Sequence, residues 1–158
     1  MPLLIYRHHL LSHRFYELEG EMWRINFASE TITDNYKTDI DMKAKDLNFN
    51  EFTKQVANPH NIHEWQFLGN KPAIVDFYAP WCTPCRSFSP ILDDVANDYD
   101  GKVDIYKINV DKEPELANAF NIRSIPTLLF IPQEENPIIS RGAMTKSELI
   151  EAIHTHFF

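Results

Sequence analysis

The sequence lacks long apolar runs, has few cations and has few glycines. No run of about 18 apolar residues exists, so there is no candidate for a membrane-spanning helix and no membrane partner is expected. The 158 residues include 15 Lys and Arg against 23 Asp and Glu, a formal net charge of −8. Nucleic acid is therefore not expected as a partner, because phosphate binding needs clustered cations. With 4 glycines and 44% hydrophobic residues, the composition is that of a globular chain, not of a disordered or fibrous one.

Cysteine is equally scarce, and its placement excludes a disulfide-stapled secreted scaffold. The two cysteines, Cys82 and Cys85, are three residues apart, whereas such scaffolds need several distant pairs. The apolar stretch 3–6 is interrupted by Arg7 and is too short for the centre of a secretory signal. We therefore predict a cytoplasmic protein. A mature exported chain would have the same sequence, so the periplasm or another exported compartment stays the alternative.

The first 41 residues show no clear hydrophobic period, and we interpret them as an N-terminal extension of a domain spanning 42–158. The extension contains more aromatic residues than a solvated tail would. Part of it is therefore predicted to pack on the domain or on a partner, and the rest to be disordered. The alternative is that Met22 or Met42 is the true start, with the preceding residues coming from an overlong reading frame.

Strand and helix patterns alternate in the remainder of the chain. A β-branched and aromatic run at 73–78 predicts a strand covered on both faces. Apolar residues at three- and four-residue steps after the cysteines predict an amphipathic helix ending before Gly101, and Thr145 with Glu148 predicts a capped last helix. The other predicted elements are helices around 50–57 and 116–120, strands at 103–110 and 127–131, and a strand around 138–139. The short turn between the last two strands implies an antiparallel hairpin, so the predicted fold class is α/β, a central mixed β-sheet flanked by α-helices.

The two cysteines lie where the strand at 73–78 gives way to the following helix. Cys82 is expected at the helix N-terminus, where free backbone N–H groups and the helix dipole stabilise a thiolate and lower its pKa. Cys85 follows one turn later and is expected to be better shielded. Cys82 can then attack a substrate disulfide, and Cys85 can resolve the mixed disulfide. Pro84 has a fixed φ suited to the first helical turn and should stiffen the pair.

Three other interpretations of the cysteine pair are weaker. A structural zinc site needs four ligands, and outside the His-rich N-terminus the sequence offers no second pair of them, so no metal site is predicted. A purely structural disulfide closing so small a loop would stabilise the fold little. Idle buried thiols are expected within a strand, whereas these follow Trp81 at a strand-to-helix turn.

Three segments of the sequence resemble the thioredoxin family in order and spacing: DFYAPWCTPCR, KINVDKEPELANAFNIRSIPTLLFI and SRGAMTKSELIEAI. The resemblance covers about 43–158 and implies the thioredoxin fold and protein-disulfide reduction. It implies no cofactor besides the redox-active Cys82–Cys85 disulfide. The expected partners are disulfide-containing client proteins and a flavin-dependent thioredoxin reductase that uses NADPH. The protein is expected to act as a monomer in electron transport and cell redox homeostasis.

The resemblance also implies roles for two charged residues. Asp76 interrupts an apolar strand, where an unpaired carboxylate is costly to bury unless it is protonated or partnered. By resemblance it is the buried acid that accepts the proton of Cys85, and Lys107 is the supporting lysine beside it. The alternatives are an edge-strand Asp76 that faces water and a solvated Lys107.

The expected substrate-binding surface surrounds the cysteines. By resemblance Trp81, Ile125, Gly142 and Ala143 form an apolar rim, and Pro126 is a cis-proline that presents the Ile125 backbone to an extended substrate. Thr83 and Pro84, between the cysteines, belong to the same surface. Thr83 replaces the glycine usual in the family. Its hydroxyl is expected to stabilise the Cys82 thiolate and raise the reduction potential.

Two other functions remain as alternatives at this point. The same chemistry in the opposite direction would make the protein a disulfide oxidase or isomerase of an exported compartment. The second alternative is a binding scaffold that has the fold but not the chemistry. A scaffold does not need the full set of Cys82, Cys85, Asp76 and Pro126, which argues against this alternative.

Overall fold

The computed structural model describes residues 13–18, 21–26 and 44–158, and the chain divides into two compact units, 1–41 and 42–158. In the first unit, strands β1 (His13–Leu18) and β2 (Glu21–Asn26) form an antiparallel pair. These two strands are not predictable from the sequence, because the apolar residues of this region follow no sustained period. The predicted disorder and packing of the rest of the extension concern residues outside the described part.

A five-stranded mixed sheet forms the centre of the second unit, as the sequence predicts. Its strands are β3 (Ala44–Asp46), β4 (Ala73–Tyr78), β5 (Asp104–Asn109), β6 (Thr127–Ile131) and β7 (Ile138–Arg141). Their order is β3-β5-β4-β6-β7. β5 is parallel to both of its neighbours, whereas β6 is antiparallel to β4 and β7. Only the three-residue strand β3 has no counterpart in the sequence prediction, because it is too short to show a period.

Four α-helices accompany this sheet: α1 (Phe49–Gln55), α2 (Thr83–Asp98), α3 (Pro114–Ala119) and α4 (Lys146–Phe157). A 3-10 helix spans Pro59–Glu64, between α1 and β4, where the sequence analysis names no element. The predicted capping box is present at α4: the Thr145 hydroxyl accepts from the Glu148 N–H, and the Glu148 carboxylate accepts from the Thr145 N–H. No helix in the described residues is long and apolar enough to cross a membrane.

The sheet separates two hydrophobic clusters. Ile74 of β4 and Leu128 of β6 pack with α2 and α4, whereas Val75 and Phe77 of β4 pack with α1 and α3. Both faces of β4 are therefore covered, which explains why its sequence is almost continuously apolar. Because side chains alternate along a strand, Asp76 lies on the same face as Ile74, towards α2.

Candidate active site

The two cysteines are joined by a disulfide at the N-terminus of α2. Cys82 is the N-cap residue of the helix, and the Cys85 N–H donates to the Cys82 Sγ across 3.2 Å. Both residues are buried, Cys82 5% and Cys85 3% exposed, so their shielding differs little. The Cys82 sulfur therefore occupies the position in which an N-cap side chain satisfies a free backbone donor.

This position suits a sulfur that carries negative charge after reduction. The N–H of Cys85 points at the sulfur, and the positive end of the α2 dipole adds to the stabilisation. A thiolate in such an environment has a lowered pKa and is the nucleophilic form of cysteine. Pro84 stands in the first turn of α2, where its missing N–H leaves no helical hydrogen bond unmade.

Asp76 is enclosed in the protein rather than at a sheet edge. It lies on the central strand β4, is 1% exposed, and its Oδ1 has no hydrogen-bond partner among the described residues. Burial raises the pKa of Asp76 to about 7, opposed by the positive charge of Lys107 and assisted by Asp46 and Asp93. The alternative of an edge-strand carboxylate facing water is therefore wrong, and the group can exchange a proton near neutral pH.

Lys107 is the strand neighbour of Asp76 and is half-buried rather than fully solvated. The two residues are register partners in the parallel pair β4–β5. The Lys107 ammonium donates to the Ser89 hydroxyl of α2 across 2.8 Å and lies 4.8 Å from the centre of the Tyr78 ring. The ammonium is thus held inside the interface between the sheet and α2.

Two features of the expected substrate surface are present next to the disulfide: an exposed tryptophan and a loop that contains a cis-proline. Trp81 is 66% exposed, and its Nε1–H donates to the Asp111 carboxylate across 2.8 Å. The Ile125–Pro126 peptide bond is cis, and the Ile125 carbonyl oxygen lies 3.8 Å from the Cys82 Sγ. A client segment lying beside Ile125 would therefore pass close to the nucleophilic sulfur.

The other predicted surface residues lie on the loop after β7 and in the first turn of α2. The Gly142 N–H donates to the Pro126 carbonyl across 2.9 Å, which ties this loop to the cis-proline. Gly142 has φ of 96°, a conformation that favours glycine, and the following Ala143 is exposed. Thr83 is exposed, and its hydroxyl accepts from the Arg86 guanidinium across 3.3 Å.

Several residues that contact this site were not predicted from the sequence. They are Asp111, which fixes the Trp81 ring, and Asp46, Tyr78, Ser89 and Asp93, which surround Asp76 and Lys107. No local pattern marks them, because their partners are distant in sequence. In the described part of the chain, no three His, Cys, Asp or Glu side chains form a group that could hold a metal ion. His8 and His9 of the His-rich N-terminus lie outside that part.

Comparison with known proteins finds similarity to thioredoxins. The thioredoxin family model matches residues 43–155. The chain is 40% identical over 108 residues to a thioredoxin of Borreliella burgdorferi, a match that covers 68% of this chain and 92% of that protein. It is also 40% identical over 102 residues to an M-type chloroplastic thioredoxin of Spinacia oleracea. That second match covers 65% of this chain and 56% of the spinach protein, so the chain spans little more than half of the plant relative.

A solved structure has a similar fold. The crystal structure of chloroplastic thioredoxin z superposes with a TM-score of 0.59 at 27% sequence identity. The match covers 72% of this chain and 93% of the other.

Proposed function

The chain belongs to the thioredoxin family and is a thiol–disulfide oxidoreductase that reduces protein disulfides; on this premise we propose how its residues share the reaction. In the reduced protein, the Cys82 thiolate attacks one sulfur of the client disulfide. A bond forms between Cys82 and that sulfur, and the other client sulfur leaves as a thiolate. The observation that carries this assignment is the position of the Cys82 Sγ as acceptor for the Cys85 N–H at the N-terminus of α2.

Asp76 is assigned the proton transfer of the second step. Its carboxylate accepts the proton of the Cys85 thiol, and the resulting thiolate attacks the Cys82 sulfur. The mixed disulfide breaks, the client leaves with both of its sulfurs reduced, and the Cys82–Cys85 disulfide remains. A buried carboxyl with a pKa of about 7 suits this role, because near neutral pH it readily accepts and releases a proton. The positive charge of Lys107 supports this step because it opposes the effect of burial and favours the ionised Asp76 carboxylate, which is the form that accepts the proton.

The client binds along the cis-proline loop in this proposal. Its extended segment pairs with the Ile125 backbone, while Trp81, Thr83, Pro84, Gly142 and Ala143 contact the flanking residues. Pro126 is buried and its carbonyl is already bonded to the Gly142 N–H, so Ile125 offers the backbone groups on this loop. The Cys82 Sγ lies 3.8 Å from the Ile125 carbonyl oxygen, so a client bound there would place its disulfide beside Cys82.

An insulin reduction assay, in which dithiothreitol re-reduces the protein after each turnover, tests the assignment of the two sulfurs. Cys82→Ser should abolish the activity, because serine is not nucleophilic at neutral pH. Cys85→Ser should also stop turnover, but it should accumulate a covalent complex between Cys82 and the client that reducing agent releases. If Cys82→Ser reduced insulin as fast as the unaltered protein, the assignment would be wrong and the fold would act as a binding scaffold.

The physiological direction is proposed to be reduction. The comparisons do not favour the oxidase or isomerase alternative, since the matched relatives are thioredoxins. We expect a reduction potential near the thioredoxin level of about −270 mV. Equilibration with glutathione buffers of known ratio measures it, and a value near about −120 mV would instead indicate a disulfide-forming enzyme.

The proposed electron donor is an NADPH-dependent thioredoxin reductase, and the chain is proposed to act as a monomer in electron transport without a further cofactor. Oxidation of NADPH by a purified reductase in the presence of this protein and insulin tests the first point. Sedimentation velocity tests the second. Absence of NADPH oxidation with several unrelated thioredoxin reductases would count against such a donor.

The proposed compartment is a reducing one, the cytoplasm. A dithiol reductant works where thiols are kept reduced, which argues against the periplasm or another exported compartment. The similarity to chloroplastic thioredoxins of plants makes a plastid the second candidate. Cell fractionation with an antibody against the native protein distinguishes these compartments.

A further inference from the structure

Asp76, Lys107 and Asp46 lie in one row across the sheet, on the face that meets α2. Asp46 of β3 is the register partner of Lys107 on β5, and Lys107 is the register partner of Asp76 on β4. Neighbouring strands are about 4.8 Å apart, so the Lys107 backbone position lies between those of the two acidic residues, on the same face of the sheet. One carboxylate is sealed from water and the other is exposed.

Three contacts fix the outer half of this row. The Lys107 ammonium donates to the Ser89 hydroxyl across 2.8 Å, and the same ammonium lies 4.8 Å from the centre of the Tyr78 ring. The Tyr78 hydroxyl donates to the Asp46 carboxylate across 2.8 Å. Burial and then the hydrogen bond to Asp46 raise the pKa of Tyr78 to about 12, so the hydroxyl stays a donor at neutral pH.

A lysine side chain is long and loses considerable rotamer freedom when it is held in one place. A hydrogen bond on one side and an aromatic ring on the other limit where the Lys107 charge can be. The Coulomb energy between two charges depends on their separation, most strongly where little water is present. Fixing the ammonium therefore fixes its effect on Asp76, whose Oδ1 has no hydrogen-bond partner among the described residues.

We propose that Ser89, Tyr78 and Asp46 form a clamp that holds the Lys107 ammonium near Asp76 and so lowers the proton affinity of the buried carboxyl. The three are positioning residues, because they act on Asp76 through Lys107. Asp46 also acts on Asp76 directly, through its own negative charge. The proposal rests on the proposed role of Asp76 as the proton acceptor of the second step.

Other groups near Asp76 also affect its proton affinity, independently of the clamp. Asp93 contributes a negative charge from α2, and its Oδ1 is also buried without a partner among the described residues. On the opposite side, the register partner of Asp76 on β6 is Leu128, which is apolar. Lys107 is thus the positive charge facing Asp76 from its strand neighbours, and its position matters correspondingly.

The test is a titration of the Asp76 carboxyl by 13C NMR in the oxidised full-length protein, where the two cysteines do not titrate. Ser89→Ala removes the acceptor of the Lys107 ammonium. We expect the Asp76 midpoint to rise by about half a pH unit, because the ammonium moves towards solvent. Asp46→Asn keeps an oxygen for the Tyr78 hydroxyl and removes a negative charge, so the midpoint should fall by a similar amount.

Two controls separate the clamp from a general structural effect. Ser87→Ala alters an exposed serine of the same helix that bonds the Thr83 carbonyl, and it should leave the midpoint unchanged. In a Lys107→Met background, Ser89→Ala should have no further effect, because the charge that it positions is gone. An unchanged midpoint in Ser89→Ala, or an equal Ser89→Ala shift in both backgrounds, would overturn the clamp, and an unchanged midpoint in Asp46→Asn would overturn the charge effect assigned to Asp46. The readout is proton binding, so it can fail while Cys82→Ser still abolishes insulin reduction, and the reverse.

Discussion

Asp76 is the residue at which function and stability oppose each other most directly. It occupies the central strand at 1% exposure, and burial raises its pKa from 3.8 to about 7. In the unfolded chain this carboxyl ionises near its ordinary value. Between pH 3.8 and 7 the folded state therefore binds more protons than the unfolded state, so the contribution of Asp76 to stability falls as pH rises.

Asp76→Asn should stabilise the oxidised protein in a pH-dependent way. A difference of about 3 pKa units corresponds to a gain on the order of 3–4 kcal/mol at pH 8 and almost none at pH 3. Guanidinium chloride unfolding of both proteins across this range measures it. Asp98→Asn is the control, since that exposed carboxylate pairs with Lys146 across 2.9 Å and should change stability by less than about 1 kcal/mol. A gain at pH 3 as large as at pH 8 would contradict the buried-charge explanation.

Thr83 is the residue where this chain departs from the family's usual glycine. In the disulfide form its hydroxyl accepts from the Arg86 guanidinium, which leaves the hydroxyl proton available to a neighbouring acceptor. After reduction, we expect the Cys82 thiolate, which precedes Thr83 in the sequence, to be such an acceptor. A hydrogen bond that favours the reduced form by about 1.4 kcal/mol raises the reduction potential by about 30 mV.

Thr83→Gly should accordingly lower the reduction potential by about 30 mV, measured against glutathione buffers. Thr83→Val keeps the β-branched shape and removes the hydroxyl, so the same decrease is expected. If the valine variant retained the potential of the unaltered protein, the hydroxyl would not be the cause. If the glycine variant did not fall at all, Thr83 would have no influence on the potential.

At the scale of elements, helix termini determine both chemistry and stability. The N-terminus of α2 is capped by the Cys82 sulfur, so the same free N–H groups that would bind a serine oxygen are available to a thiolate. The N-terminus of α4 is capped by a capping box formed by Thr145 and Glu148. α4 packs on the sheet through Leu149 and Ile153, so loss of its cap affects the whole domain.

Thr145→Ala should lower the free energy of unfolding by about 1 kcal/mol, because the Glu148 N–H loses its acceptor. Thr155→Ala is the matched control on the same helix. The Thr155 hydroxyl bonds the Glu151 carbonyl, whose helical bond is already made, so its removal should change stability little. Chemical unfolding at pH 7 compares the two variants, and equal losses would argue against a specific capping effect.

At the scale of the whole molecule, the described domain has its own two-sided core, and the family model covers 43–155. A chain starting at Met42 should therefore fold and reduce insulin at a rate within about twofold of the full-length protein. Insulin turnover and chemical unfolding of the two chains measure this. A large loss of either activity or stability would show that residues 1–41 take part in the domain's function or folding.

The sequence by itself predicted most of the elements of the domain and the two cysteines proposed to react. Alternation, helical periodicity and capping boxes are short-range patterns, so the strand at 73–78, the helix after Cys82 and the capped last helix were predictable. The function of the cysteine pair followed from its place at a helix N-terminus. The strand β3 was missed because three residues cannot show a period.

Only the tertiary structure decided which distant side chains meet. The row of Asp46, Lys107 and Asp76 exists because β5 lies between β3 and β4, although it follows both in the chain. The bond from Trp81 to Asp111 likewise joins residues 30 positions apart. Strand order results from burying both faces of the sheet at once, a balance over the whole core that no local segment contains.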